Sequence, residues 1–170
     1  APKKCHFRYD LVWVKSSPAG FLSAKKMPMR KHEMIYVFYE KLPFYDLSSH
    51  QHKFLNKETY CKETDKEYET CYGDVNIPKH PDKGARWDPP LPVSMLEIKS
   101  TRGKHSTEKP VALMEWIFKY YSKEGDTIFD PTMGSGSTGV ACNNMNRNFI
   151  GIEKDEEIFK VAVDRCGYNV

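Results

Sequence analysis

"GDTIFDPTMGSGSTGVA", Gly125 to Ala141, decides how this chain is read. The apolar run "DTIFD" leads into a G-x-G-x-x-G formed by Gly134, Gly136 and Gly139, and "GSGSTGVACNNMN" reads as a loop opening a helix. A strand that ends in a glycine turn and enters a helix N-terminus brings backbone N–H groups close to a ligand, with no Cβ in the way. Downstream, "NFIGIE" reads as the next strand and "DEEIFKVAVDRC" as a closing helix. Upstream, "PVALMEWIFKYYS" has Pro110 suited to a first helical turn and Val111, Met114, Ile117, Phe118 and Tyr121 along one face. The β-α-β-α order predicts an α/β fold with a parallel sheet and right-handed crossovers.

Glu153 closes the strand after the glycines, about 20 residues on, where a carboxylate accepts both ribose hydroxyls of a nucleoside. The unit is therefore expected to bind an adenosine-containing cofactor. Two details favour S-adenosylmethionine over a nicotinamide dinucleotide. Asp130-Pro131 places an acid at the strand tip, which suits an ammonium better than a pyrophosphate, and no second mononucleotide half follows. G-x-x-x-x-G-K-[ST] is absent, which excludes a P-loop.

The chain has 170 residues, 39% of them hydrophobic, enough for one domain with a sizeable core. No run approaches the roughly 18 apolar residues of a membrane span, and "APKKCHFRYD" has no apolar signal core. A cytoplasmic location is expected in a bacterial or viral-host cell, and a nuclear one in a eukaryote. Five Cys show no C-x-x-C spacing, so reduced thiols and no metal site are expected; "HQH" at His50 to His52 reads as solvated. The net charge of +3 is uneven: residues 1–41 hold nine Lys/Arg against Asp10, Glu33 and Glu40, a local +6. A phosphate-facing edge and a solvated basic face both produce such a count.

"YDLVWVK" (Tyr9 to Lys15) and "EMIYVFYEK" (Glu33 to Lys41) read as strands, the second so continuously apolar that burial on both faces is expected. "FLSAKKMPMRKH" between them, interrupted by Pro28, reads as loop or broken helix. Residues 42–93 turn polar, charged and aromatic without strong periodicity, the mark of a functional or disordered segment. "SMLEIKS" (Ser94 to Ser100) reads as a further strand. The expected organisation is thus 1–41, 42–93 and 94–170.

At this point the sequence resembles a family. "HSTEKPVALMEWIFKYYSKEGDTIFDPTMGSGSTGVACNNMNRNFIGIEKDEEIF" is similar to the C-terminal half of the amino-group DNA methyltransferases of the permuted β type, and the likeness continues through "YDLVWVKSSPAGFLSAKKMPMRKHEMIYVFYEKLPFY". The resemblance implies a Rossmann-like S-adenosylmethionine-dependent methyltransferase sheet with an irregular target-recognition insertion at 42–93. It implies that Asp130, Gly134 and Gly136, within the loop Asp130-Pro131-Thr132-Met133-Gly134-Ser135-Gly136-Ser137-Thr138, line the methionine side. Glu153 then holds the ribose, and His105, Thr107 and Lys109 in "HSTEKP" pack beside the methionine end. Thr132 stands where the family more commonly has Phe, one aromatic contact fewer. Double-stranded DNA is the implied partner, with Lys25, Lys26, Arg30 and Lys31 set to meet its phosphates, which supplies affinity rather than sequence choice.

Transfer of a methyl to adenine N6 or cytosine N4 requires a flipped base whose amino group donates hydrogen bonds to the enzyme. The family does this with a (D/S)-P-P-(Y/F/W) loop after a hydrophobic strand. "WDPPL", Trp87 to Leu91, reads as a decoy: "PDKGAR" precedes it, its fourth residue is Leu91, and it follows the variable region. It is expected to be a Pro-rich turn with Trp87 packed down, and no catalytic residue is assigned. The strand bearing the real loop is expected upstream of residue 1 or on a second chain, leaving the sheet incomplete and this chain inactive by itself. The wider similarity favours adenine over cytosine; the alternatives are a non-catalytic cofactor- or DNA-binding remnant and one subunit of a split methyltransferase.

Overall fold

A computed structural model describes residues 4–54, 85–101 and 108–168. The chain divides into two compact units, residues 1–46 with 93–170, and residues 47–92.

The first unit holds two separate pieces of sheet. One is the three-stranded order β2-β1-β5, in which β1 (His6–Ala19) pairs antiparallel with β2 (Arg30–Tyr39) and parallel with β5 (Met95–Leu96). The other is a parallel pair, β6 (Thr127–Asp130) with β7 (Asn148–Gly151), with Asp130 opposite Gly151. Among the described residues, β7 is the one strand that β6 pairs with.

Helix α1 (Val111–Tyr121) spans the two pieces. Its Leu113 and Trp116 pack with Leu11, Trp13 and Leu96 of the first sheet. Its Val111, Met114, Ile117 and Phe118 pack with Ile128 and Phe149 of the second and with Ala141 and Cys142 of α2 (Ser137–Asn144). Three- and four-residue steps put each group on its own stripe of the helix, so one amphipathic segment closes two small cores. Helix α3 (Glu156–Cys166) is bounded by local signals: the Asp155 carboxylate accepts from the Glu157 and Ile158 N–H groups, and Gly167 ends it at φ +70°.

Several expectations are corrected here. β2 alternates half-buried and exposed residues instead of being buried on both faces. Tyr36 and Phe38 stay exposed beside Phe7, with ring centroids 6.0 and 5.7 Å apart, because among the described residues nothing packs over that face. β1 extends beyond Tyr9–Lys15 at both ends, with register irregularities between Phe7 and Tyr9 and between Val14 and Ala19. "FLSAKKMPMRKH" forms a 3-10 turn at Phe21–Ser23 and then the start of β2 at Arg30. Of the strand expected over Ser94–Ser100, Met95–Leu96 alone pairs; the rest follows β1 through Trp13 Nε1 donating to the Ile98 carbonyl at 2.8 Å and two Ser16–Ser100 hydrogen bonds.

In the second unit, β3 (Gln51–Phe54) and β4 (Ala85–Asp88) make an antiparallel ladder. The turn with a packed-down Trp87 is therefore replaced by a strand, whose Trp87 is 38% exposed with its centroid 5.0 Å from that of His52. His50 is buried and its Nδ1 meets the Pro89 carbonyl at 2.9 Å. Most of the expected target-recognition stretch, residues 55–84, lies outside the described residues.

Candidate cofactor site

The parallel β6–β7 pair ends at Asp130 and Gly151, and the glycine loop lies just beyond. Backbone bonds fix its course: the Met133 N–H donates to the Ile152 carbonyl at 3.0 Å and the Ile152 N–H to the Asp130 carbonyl at 2.9 Å. Gly134 and Gly136 take φ values of +53° and +81°, left-handed geometry that glycine adopts without a Cβ penalty. Gly139 serves packing instead: a Cβ there would stand 2.6 Å from Cys166 Sγ and 2.9 Å from Phe149 Cε1.

Both expected acids are organised around this loop. The Asp130 carboxylate accepts the Thr132 N–H at 3.0 Å and the Thr138 hydroxyl at 2.6 Å, so the strand tip and the first turn of α2 are joined. Glu153 accepts from three backbone N–H groups: Gly134 on Oε2 at 3.0 Å, and Lys154 and Asp155 on Oε1 at 2.9 and 3.0 Å. The Asp155 N–H, followed by those of Gly134 and Lys154, holds this carboxyl below its ordinary range against a smaller opposing desolvation. It is the ionised form that such a site presents to a diol.

Pro131 and Thr132 are exposed, whereas Met133, Ser135, Ser137 and Thr138 are buried. Ser137 Oγ, at the start of α2, is buried without a hydrogen-bond partner among the described residues. A buried hydroxyl left so at the start of α2 fits a polar ligand at the loop. Lys109 sits just before α1 and pairs with Glu33 Oε2 at 2.8 Å. His105 and Thr107 lie outside the described residues.

Three residues that sequence reasoning passed over also belong here. Glu108 accepts the Ser135 hydroxyl at 3.1 Å and pairs with Arg165 at 2.8 Å. Glu33 takes both Lys109 and Lys15. The one available signal was Glu108 standing within "HSTEKP"; Arg165 and Glu33 carried none.

Lys25, Lys26, Arg30 and Lys31 are all exposed, the first two after the 3-10 turn and the others opening β2. Phe21 and Leu22, 82% and 100% exposed, lie beside them. Among the described residues there is no cluster of metal-ligating side chains, and no helix is long and apolar enough to cross a membrane.

Known structures share the fold of this chain. The M1.HpyAVI structure with SAM superposes on 95% of the chain and 63% of its own length, at TM-score 0.60 and 26% identity. The cytosine-N4-specific PvuII DNA methyltransferase shares the fold at TM-score 0.61 and 14% identity, over 92% of the chain and 49% of its own. Among curated relatives, the type II methyltransferase M2.DpnII of Streptococcus pneumoniae is 45% identical over 41% of the chain and 26% of its own length. M.HindIII of Haemophilus influenzae is 38% identical over 44% and 25%. The chain thus aligns with about a quarter of the length of these curated relatives. Since the match to the N6/N4 DNA methylase family model runs over residues 2–164, nearly the whole sequence, the chain belongs to that family.

Proposed function

We propose that this chain is the cofactor-binding, DNA-facing part of an S-adenosylmethionine-dependent DNA amino-methyltransferase of a bacterial cytoplasm, acting on adenine N6 in preference to cytosine N4. The observation that carries the reading is the pair of acids at adjacent parallel strand ends, Asp130 and Glu153, with the left-handed Gly134 donating to the second. Glu153 would hold the ribose, Asp130 the methionine side, and the N–H groups of the loop the polar atoms between. When bound, the cofactor would supply an electrophilic methyl group for transfer to the exocyclic amine.

In this reading the base-binding loop is supplied by a segment other than the described residues, preceding this one or on a second chain. Among the described residues β6 has one ladder partner, and Phe129 and Ile150 on its sheet and Ile152 just beyond it are exposed, which supports that, since parallel sheets ordinarily have both faces covered. "WDPPL" is a poor substitute: Asp88 is exposed at the end of β4 and Leu91 offers no ring to stack on a base. Residues 42–93 would read the target sequence, and Lys25, Lys26, Arg30 and Lys31 would meet phosphates.

The test is tritiated methyl incorporation into DNA by the 170-residue chain, by its Asp88→Ala variant, and by the chain mixed with the upstream segment of a relative. The expected result is no incorporation by the chain alone and turnover on mixing, because positioning and electrostatic stabilisation of the amine dominate such a reaction. Robust incorporation by the chain alone that Asp88→Ala abolishes would make "WDPPL" the catalytic loop.

A further inference from the structure

Glu108 and Lys109 are neighbours in sequence and face opposite parts of the fold. The Glu108 side chain is 6% exposed; Oε1 takes Arg165 Nη2 at 2.8 Å and Oε2 the Ser135 hydroxyl at 3.1 Å. Arg165 also donates from Nη1 to the Ser135 hydroxyl oxygen at 3.1 Å and to the Ser135 carbonyl at 3.3 Å. Ser135 is thus held by side chain and main chain together, and it stands between two left-handed glycines. Glycine on both sides gives this peptide a wide range of alternatives, so the Glu108–Arg165 pin removes freedom where the sequence leaves the most.

Lys109 turns the other way. Its ammonium reaches Glu33 on β2 at 2.8 Å and lies 6.0 Å from the Trp13 ring centroid, while Lys15 meets the same carboxylate at 3.2 Å. Burial by itself would raise the Glu33 carboxyl, but the two lysines outweigh it and hold it below its ordinary value. Two consecutive residues therefore bind the glycine loop and α3 on one side and the β1–β2 hairpin on the other, across the break between the two sheets.

We propose that Glu108 and Lys109 are positioning residues: Glu108 holds Ser135 and with it the glycine loop in ligand-ready form, and Lys109 ties that segment to Glu33, so that order in the loop is transmitted to β2. The ligand in question rests on the cofactor reading above. The tie extends that reading by linking the cofactor loop to the strand that opens with Arg30 and Lys31. Coupling of this kind needs an element whose arrangement both sites bias, and residues 108–109 touch both.

Amide hydrogen exchange on the full chain, free and with S-adenosylhomocysteine, tests it. The reporters are the Gly134 and Gly136 amides, which donate to Glu153 and to the Met133 carbonyl, and the amides of residues 31–37. In the ligand-free protein, Glu108→Ala accelerates exchange at Gly134 and Gly136 about tenfold or more, and Glu108→Gln, which keeps an acceptor for Ser135, restores most of the protection. Ligand slows exchange at both sets in the parent chain. In Lys109→Met and Glu33→Gln it still slows the glycines but no longer residues 31–37. Unaltered glycine exchange in Glu108→Ala overturns the pin, and protection of 31–37 that survives both Lys109→Met and Glu33→Gln overturns the tie. Absence of ligand protection everywhere in the parent chain would sink the cofactor reading and the transmitted order, while the ligand-free comparison still decides the pin.

Discussion

The backbone N–H of Gly134 donates to Glu153 Oε2 at 3.0 Å, latching the glycine loop to the acid at the end of the next strand. With Lys154 and Asp155 on Oε1, three N–H groups occupy a carboxylate that offers about four acceptor sites. A vicinal diol brings two more donors, so ribose docked on Glu153 shares the carboxylate with the Gly134 N–H, whose bond is kept. Ligand is expected to move the Gly134 amide resonance, and Glu153→Ala to weaken S-adenosylhomocysteine by about tenfold or more in calorimetry. Equal affinity in that variant would remove the ribose from Glu153. Because the carboxyl lies below its ordinary value, affinity should hold steady as pH falls through the usual Glu range and drop only as pH passes the lowered value.

Gly139→Ala should destabilise the chain by about 1–3 kcal/mol, the usual cost of overpacking a filled interior. The new methyl would meet Cys166 Sγ and the Phe149 ring on two sides, and neither side chain has far to retreat. Thermal unfolding measures the loss, and combining the change with Cys166→Ala should recover part of it, since neighbours sharing one space are non-additive. A variant as stable as the parent would show that α2 sits further from α3 and β7.

Alkylation by iodoacetamide at pH 8 should discriminate among the cysteines. Burial drives the Cys142 thiol up to about 11 and also raises Cys166, so both stay protonated and shielded, whereas Cys5 is half-exposed. Peptide mass mapping should find Cys5 modified and Cys142 and Cys166 intact until denaturant is added. Early labelling at Cys166 would mean that α3 opens readily from the glycine loop.

Neutralising Lys25, Lys26, Arg30 and Lys31 together should flatten the salt dependence of DNA binding by about 0.9 per lost phosphate contact on a log–log plot. All four are exposed, two before β2 and two at its start, and they account for much of the basic excess of residues 1–41. A slope that stays put would make this a solvated face.

Raising the pH above the ordinary carboxylate range should leave the Glu33 ion pairs intact, and acid should remove them. A carboxyl whose folded value is lowered contributes stability above its unfolded value and loses it as pH falls through the folded one. Glu33→Gln should therefore narrow the difference in unfolding midpoint between neutral pH and pH 4. An identical pH dependence in that variant would mean that the lysines contribute nothing through Glu33.

The sequence by itself determined the features that short windows encode. The strand, glycine turn and helix around Gly134, the amphipathic period of α1 and the closing helix α3 all depend on residues within a few positions of one another. Backbone geometry and hydrogen-bonding chemistry at that range vary little with the rest of the chain. The tertiary structure alone decided which distant groups meet. Ser135 finds Glu108 and Arg165, and Lys109 finds Glu33, across separations that no periodicity records. It also decided which faces are covered: the apolar run in β2 announces a strand, but whether one side or both is buried depends on what the chain brings over it. The same physics left β6 with a single ladder partner among the described residues and made α1 the bridge between two sheets, because burial is settled by neighbours in space rather than by neighbours in sequence.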